Sequence, residues 1–149
     1  VAVKMINSLL LLRSPEESFV TIDIAVINTY SGEVEFLKIG SAPSFIKRVG
    51  EVATITSASL PIGILDQIEI EPVKSLVVSG DFIVMVSDGI VDVPKNKLDK
   101  GNWLPNFLRQ SVNASAQSLA NQILTQAQKM SKQQVTDDMT VLVAKISES

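Results

Sequence analysis

Residues 19–28 alternate without interruption: Phe19, Thr21, Asp23, Ala25 and Ile27 fall on one side, Val20, Ile22, Ile24 and Val26 on the other. A period of two marks a β-strand, because successive side chains point to opposite faces. The second side is uniformly branched and apolar, so it is the predicted core face, and Asp23 is expected to face solvent. Thr29-Tyr30-Ser31-Gly32 supplies turn residues, with Gly32 free to take a positive φ. Residues 34–39 then return as the second strand of an antiparallel hairpin. The same bias runs through the chain, with 33 Val and Ile against 14 Leu, which predicts a sheet-rich protein.

The other elements follow from spacing and breakers. Residues 3–12 read as a helix with a broad apolar face of Met5, Ile6, Leu9, Leu10 and Leu12, interrupted by Arg13-Ser14-Pro15. Residues 44–48 and 51–56 are short strands, 60–64 a structured loop, and 67–78 mostly extended with a kink at Pro72. Residues 82–87 are apolar on both faces and so predict a central strand. A helix over 102–111 tolerates Pro105 only in its first turn. The helix over 115–130 places Ala116, Leu119, Ala120, Ile123, Leu124, Ala127 and Met130 on one stripe. Residues 139–146 close the chain as a strand. The expected fold is a single α+β domain, an antiparallel sandwich whose later helices cover a sheet face.

Composition narrows the chemistry. The 149 residues contain no Cys and no His. This excludes disulfides, thiolate zinc sites, cysteine nucleophiles and Ser-His-Asp triads. Any metal must be held by oxygen, which selects hard ions such as Mg²⁺ or Mn²⁺. Proton transfer falls to carboxylates, Lys, Tyr30 or water. The formal charge of −3 and the absence of a basic stripe argue against nucleic acid; the densest basic segment, around Lys95, Lys97 and Lys100, reads as a solvated loop. The longest apolar runs, residues 9–12 and 82–86, are far too short to span a bilayer, and the start lacks the pattern of a signal peptide.

Two carboxylate motifs stand out. Residues 82–86 lead through Ser87 into Asp88-Gly89, a carboxylate at the end of a buried strand followed by a residue that lets the backbone turn away. Asp137-Asp138 precedes the last strand. Two like charges about 4 Å apart repel by roughly 4 kcal/mol at an effective dielectric of 20, so either a cation offsets them or the side chains diverge. Each motif alone reads more readily as a turn or cap than as a metal site. Together they flank strands that, as neighbours, would bring the carboxylates to one sheet edge, a reasonable hard-metal site for phosphate-ester hydrolysis. Asp81 in Ser-Gly-Asp reads as a turn former, and Trp103 as packing.

Ser87-Asp88-Gly89 and Asp137-Asp138-Met139-Thr140 resemble two motifs of the PPM (PP2C-like) metal-dependent protein Ser/Thr phosphatases. Residues 19–24, 36–48, Leu60-Pro61-Ile62-Gly63 and Gly80-Asp81 resemble that family's bacterial sporulation and stress-response branch. The resemblance covers nearly the whole chain. It implies an αββα sandwich with a two-metal Mn²⁺ or Mg²⁺ centre and in-line attack of an activated water on phosphoserine. Asp88 and Asp137 match metal-ligand positions and so carry the implied catalytic role. Gly89 and Asp138 take orienting roles, and Gly40, Ser41, Pro43 and Gly63 form a candidate substrate-side loop. The implied partner is a phosphorylated anti-anti-sigma factor, whose dephosphorylation frees a sigma factor. The implied setting is a cytoplasmic domain of a membrane-associated parent in a spore-forming bacterium.

The family's first metal motif, Asp followed by Gly, does not occur upstream of residue 88; Ile24 follows Asp23. The expectation is an N-terminally truncated, incomplete domain over 1–149, prone to self-association through exposed apolar strand edges. The alternative is a non-catalytic interaction module that keeps the fold. These 149 residues alone are expected to bind metal weakly and to show little phosphatase activity; robust Mn²⁺-dependent phosphate release from a phosphoserine substrate would refute this.

Overall fold

The structure is a computed structural model that describes residues 2–13, 19–66, 71–93, 102–112, 115–131 and 137–147. The expected interruption at Ser14-Pro15, the extended segment 67–70 and the basic loop 95–100 lie outside the described residues. Close contacts divide the chain into two compact units, residues 1–41 with 56–76, and residues 42–55 with 77–149.

The first unit contains helix α1 (Ala2–Arg13) and strands β1 (Ile22–Ile27), β2 (Glu33–Ile39) and β5 (Val73–Leu76), in the order β1-β2-β5, all antiparallel. The predicted hairpin is present, with Gly32 at φ 71° and the Asn28 Oδ1 accepting from the backbone N–H groups of Tyr30 and Ser31. Its buried face is the opposite of the one expected. Ile24 and Val26 are exposed, whereas Asp23, Ala25 and Ile27 stand opposite Lys38, Phe36 and Val34, all three of which are buried. The reason is a cross-strand ion pair. Lys38 Nζ donates to Asp23 Oδ2 at 2.7 Å, with the two side chains only 1% and 17% exposed. Alternation along one strand fixes which residues share a face; it does not reveal that a charge on that face finds a counter-charge on the neighbouring strand.

Helix α1 departs from expectation in the same way. Met5, Leu9 and Leu12 are exposed, and the buried residue is Asn7. Its Nδ2 donates to the carbonyls of Leu65 and Asp66, and its Oδ1 accepts from the Gly63 N–H at 2.8 Å. The helix therefore meets the 63–66 loop through a carboxamide that satisfies loop backbone groups rather than through its apolar stripe.

The second unit contains β3 (Ser44–Lys47), β4 (Val52–Ile55), β6 (Phe82–Val86) and β7 (Val141–Lys145), in the order β4-β3-β6-β7, again antiparallel. Strand β6 lies between two partners, as its two-sided apolar pattern predicts. It leads into the short helix α2 (Asp88–Val91), followed by α3 (Trp103–Gln110) and α4 (Ala116–Met130). Ser115 caps α4 by accepting the Ser118 N–H. Leu119, Ile123 and Ala127 of its predicted stripe are buried and join Leu104, Leu108, Ile90, Phe45, Phe82 and Val84 in one core cluster. Each Leu or Ile fully buried there contributes about 2 kcal/mol. Trp103 packs as expected, its indole N–H donating to the Ile90 carbonyl at 3.2 Å. Asp81 is the expected turn former: it is buried, and its Oδ2 accepts from the Val78 N–H and from Arg48 Nε.

Removing one partner of a buried ion pair strands the other charge. Lys38→Ala should lower unfolding stability in urea by about 3–5 kcal/mol, and Lys38→Met with Asp23→Leu should recover most of that loss.

Candidate metal centre

The site is built where β6 ends and β7 begins. Val86 stands opposite Val141, so the residues just beyond each strand, 87–89 and 137–140, become neighbours although they lie far apart in the sequence. Ser87 extends the ladder. Its N–H donates to the Thr140 carbonyl at 3.1 Å, its Oγ accepts from the Thr140 N–H at 2.9 Å, and the same hydroxyl donates to the Asp138 carbonyl at 2.9 Å. Gly89 completes the junction. It is buried within α2, and a Cβ built on it would overlap the Asp138 carbonyl oxygen and crowd the Asp137 backbone. Glycine is required here because the two motif backbones touch. The expectation that Gly89 leaves space beside the carboxylate is sharpened: the chain continues directly into a helical turn, and the backbone of the second motif takes up that space.

Asp88, Asp137 and Asp138 are all exposed at this junction. The Asp88 Oδ1 accepts from the Gly89 N–H at 3.0 Å, and the Asp137 Oδ1 accepts from the Asp138 N–H at 2.8 Å. One oxygen of each carboxylate is thus fixed by backbone. Among the described residues no Lys or Arg forms an ion pair with any of the three. The donor set is all oxygen and accessible, which suits a hard divalent ion. Such an ion commonly takes one or two carboxylates and fills its remaining positions with water. In number the set is small: among the described residues no group of three or more His, Cys, Asp or Glu is placed to hold a metal.

The structure brings together Ser87, Asp88, Gly89, Asp137 and Asp138. Gly40 and Gly63 belong to the other unit, where each has a local role. Gly40, at φ 61°, lies against Pro61 and donates to the Ser59 carbonyl; Gly63, at φ 93°, donates to Asn7. Ser41 Oγ is buried without a hydrogen-bond partner among the described residues, and Pro43 is half-buried before β3. Ser87 belongs to the first motif in the sequence, and its role as the tie between the motifs emerges only in the structure. A hydroxyl residue one position past a buried strand was the available signal.

The two antiparallel sheets with helices match solved PP2C phosphatase domains, a class that depends on metal ions. The chain belongs to the Stage II sporulation protein E (SpoIIE) family, whose profile matches residues 1–147. It is 35% identical over 146 residues to Stage II sporulation protein E of Bacillus subtilis (strain 168), covering 98% of this chain and 18% of that protein. Among solved structures it resembles the B. subtilis SpoIIE PP2C phosphatase domain with a fragment of the regulatory domain (TM-score 0.88, 35% identity, 97% of this chain and 43% of that one). It also resembles the phosphatase domain of the same protein presoaked with Mn (TM-score 0.80, 32% identity, 99% of this chain and 66% of that one). The chain therefore spans less than a fifth of that full-length relative. No helix among the described residues is long and apolar enough to cross a membrane.

Gly89→Ala should force residues 137–138 away and cost about 2 kcal/mol, with amide chemical shifts moving at 137–140. Ser87→Ala leaves the Asp138 carbonyl and the Thr140 N–H without their side-chain partner and should cost about 1–2 kcal/mol. Wild-type stability for Gly89→Ala would disprove the close approach.

Proposed function

We propose that this chain forms part of the catalytic domain of a metal-dependent protein serine phosphatase. Its substrate is phosphoserine on a small regulatory protein, the phosphorylated anti-anti-sigma factor, and its product releases a sporulation sigma factor. The observation that carries the reading is the joining of Asp88 and Asp137 at one sheet edge by Ser87 and Gly89, in a chain that belongs to the SpoIIE family.

In this reading Asp88 and Asp137 hold Mn²⁺ or Mg²⁺. Bound there, such ions would supply an activated water and would neutralise charge on the phosphoryl oxygens. The protein's part is positioning. The Gly89 and Asp138 N–H groups each occupy one carboxylate oxygen, which restricts both side-chain orientations and leaves the other oxygen for a ligand. Asp138 orients its neighbour through its backbone. Ser87 keeps the two motifs in register, so that neither carboxylate moves without the other. The loop of Gly40, Ser41 and Pro43, with Gly63, is the proposed substrate-side contact, supported by the resemblance of residues 36–48 and 60–63 to the family. The domain is proposed to act in the cytoplasm as part of a membrane-associated parent, and to self-associate through the exposed apolar residues Met5, Leu9 and Leu12 of α1 and Ile24 and Val26 of β1.

One observation favours a second reading, a non-catalytic interaction module: the described residues offer no group of three or more potential ligands. Metal titration and phosphoserine hydrolysis separate the two, measured on this chain and on the full polypeptide encoded by its gene. In the full polypeptide, Asp88→Asn and Asp137→Asn should each lower Mn²⁺-dependent hydrolysis by about 100-fold or more. Hydrolysis that is absent from the full polypeptide, or unaltered by both variants, would favour the module.

A further inference from the structure

The four-stranded sheet has a second feature at its opposite end. The turn between β3 and β4, the turn at Gly80 and the C-terminal end of α3 enclose a recess of about 260 Å³. Lys47, Arg48 and Arg109 line it together with Phe82, Val49 and Val112, and none of the described lining residues is acidic. Phe82 begins β6 and Asp88 follows its end. Six residue steps at about 3.3 Å place the two ends roughly 20 Å apart, so the recess is separate from the carboxylate junction.

The three cations differ in their commitments. Arg48 donates from Nε to Asp81 Oδ2 at 3.2 Å and forms a fixed wall. Arg109 is exposed, and its Nη1 donates to Asn106 Oδ1 at 2.9 Å, which steadies the guanidinium while leaving other N–H groups to donate. Lys47 is only 7% exposed, and burial pushes its ammonium below the usual lysine range. Among the described residues no carboxylate pairs with Lys47 or Arg109. A partly desolvated ammonium is stabilised by an anion brought to it. Val49 and Val112 are almost fully solvent-exposed, at 102% and 95%. An inorganic anion would leave both in water, whereas a peptide with apolar residues beside an acidic one would cover them.

We propose that this recess docks an acidic segment of a partner protein, a carboxylate side chain entering toward Lys47 and Arg109 while its apolar neighbours cover Val49 and Val112. The contact is independent of the phosphatase reading and places partner recognition at the far end of the sheet that carries the carboxylate motifs.

The test uses this chain and a fluorescein-labelled peptide of alternating leucine and glutamate, followed by fluorescence anisotropy at low ionic strength. Binding is expected. Arg109→Gln and Lys47→Met should each weaken it by about fivefold or more, and so should the same peptide with glutamine in place of glutamate. High salt should weaken it as well. Asp88→Asn, remote from the recess, should bind as wild type. Arg109 is exposed, so Arg109→Gln keeps the test valid if Lys47→Met proves unstable by circular dichroism. The proposal is overturned if the peptide does not bind, if Arg109→Gln binds with unchanged affinity, or if Asp88→Asn weakens binding as much as Arg109→Gln does. It is also overturned if inorganic phosphate displaces the peptide as effectively as unlabelled peptide, which would make the recess a free-anion site.

Discussion

The hydroxyl of Ser87 accepts from one backbone N–H and donates to one backbone carbonyl of a segment more than fifty residues away. A hydroxyl can do both at once because it carries a donor and two acceptor lone pairs. The Ser87 N–H donates to the Thr140 carbonyl as well, so the β6–β7 ladder continues past the last formal strand pair. Both carboxylate motifs hang from this extension. Their relative position follows from hydrogen bonds to backbone rather than from direct attraction between side chains, which would in any case repel one another.

Much of this was legible in the residues. The hairpin at 22–39, the two-sided apolar strand at 82–86, the capped helix at 116–130 and the closing strand at 141–145 all announce themselves by period and breakers. So does the meeting of the segment after β6 with the segment before β7, once the two strands are taken as neighbours. The inward face of β1 and the docking of α1 were not legible. In both, a polar residue occupies the buried side: Asp23 against Lys38, and Asn7 against the loop at 63–66. Apolar periodicity assumes that burial follows hydropathy. It fails where a polar group finds its complement on a different segment, because that partner is invisible to any local window. The short helix α2 escaped notice for a related reason: four residues are too few to show a period.

These polar contacts have an energetic logic. A buried ion pair contributes little net stability compared with a hydrophobic pair of similar size, yet breaking it is costly. A buried carboxamide that satisfies loop carbonyls behaves similarly. Such contacts select one arrangement over others more than they deepen its energy minimum. In the first unit they select strand face and helix docking. In the second, Asp81 performs the same service for the turn before β6, accepting from the Val78 N–H and from Arg48 together.

The close approach at Gly89 also bears on how related sequences should be read. Asp-Gly is a common dipeptide of surface turns, where glycine supplies a positive φ that asparagine can also adopt. Here the hydrogen of Gly89 faces a carbonyl contributed by a motif far along the chain, so a side chain at one motif would displace the backbone of the other. A homologue that replaces this glycine must also reshape the segment before its last strand. Covariation between these two positions would distinguish true Asp-Gly junctions from chance turns.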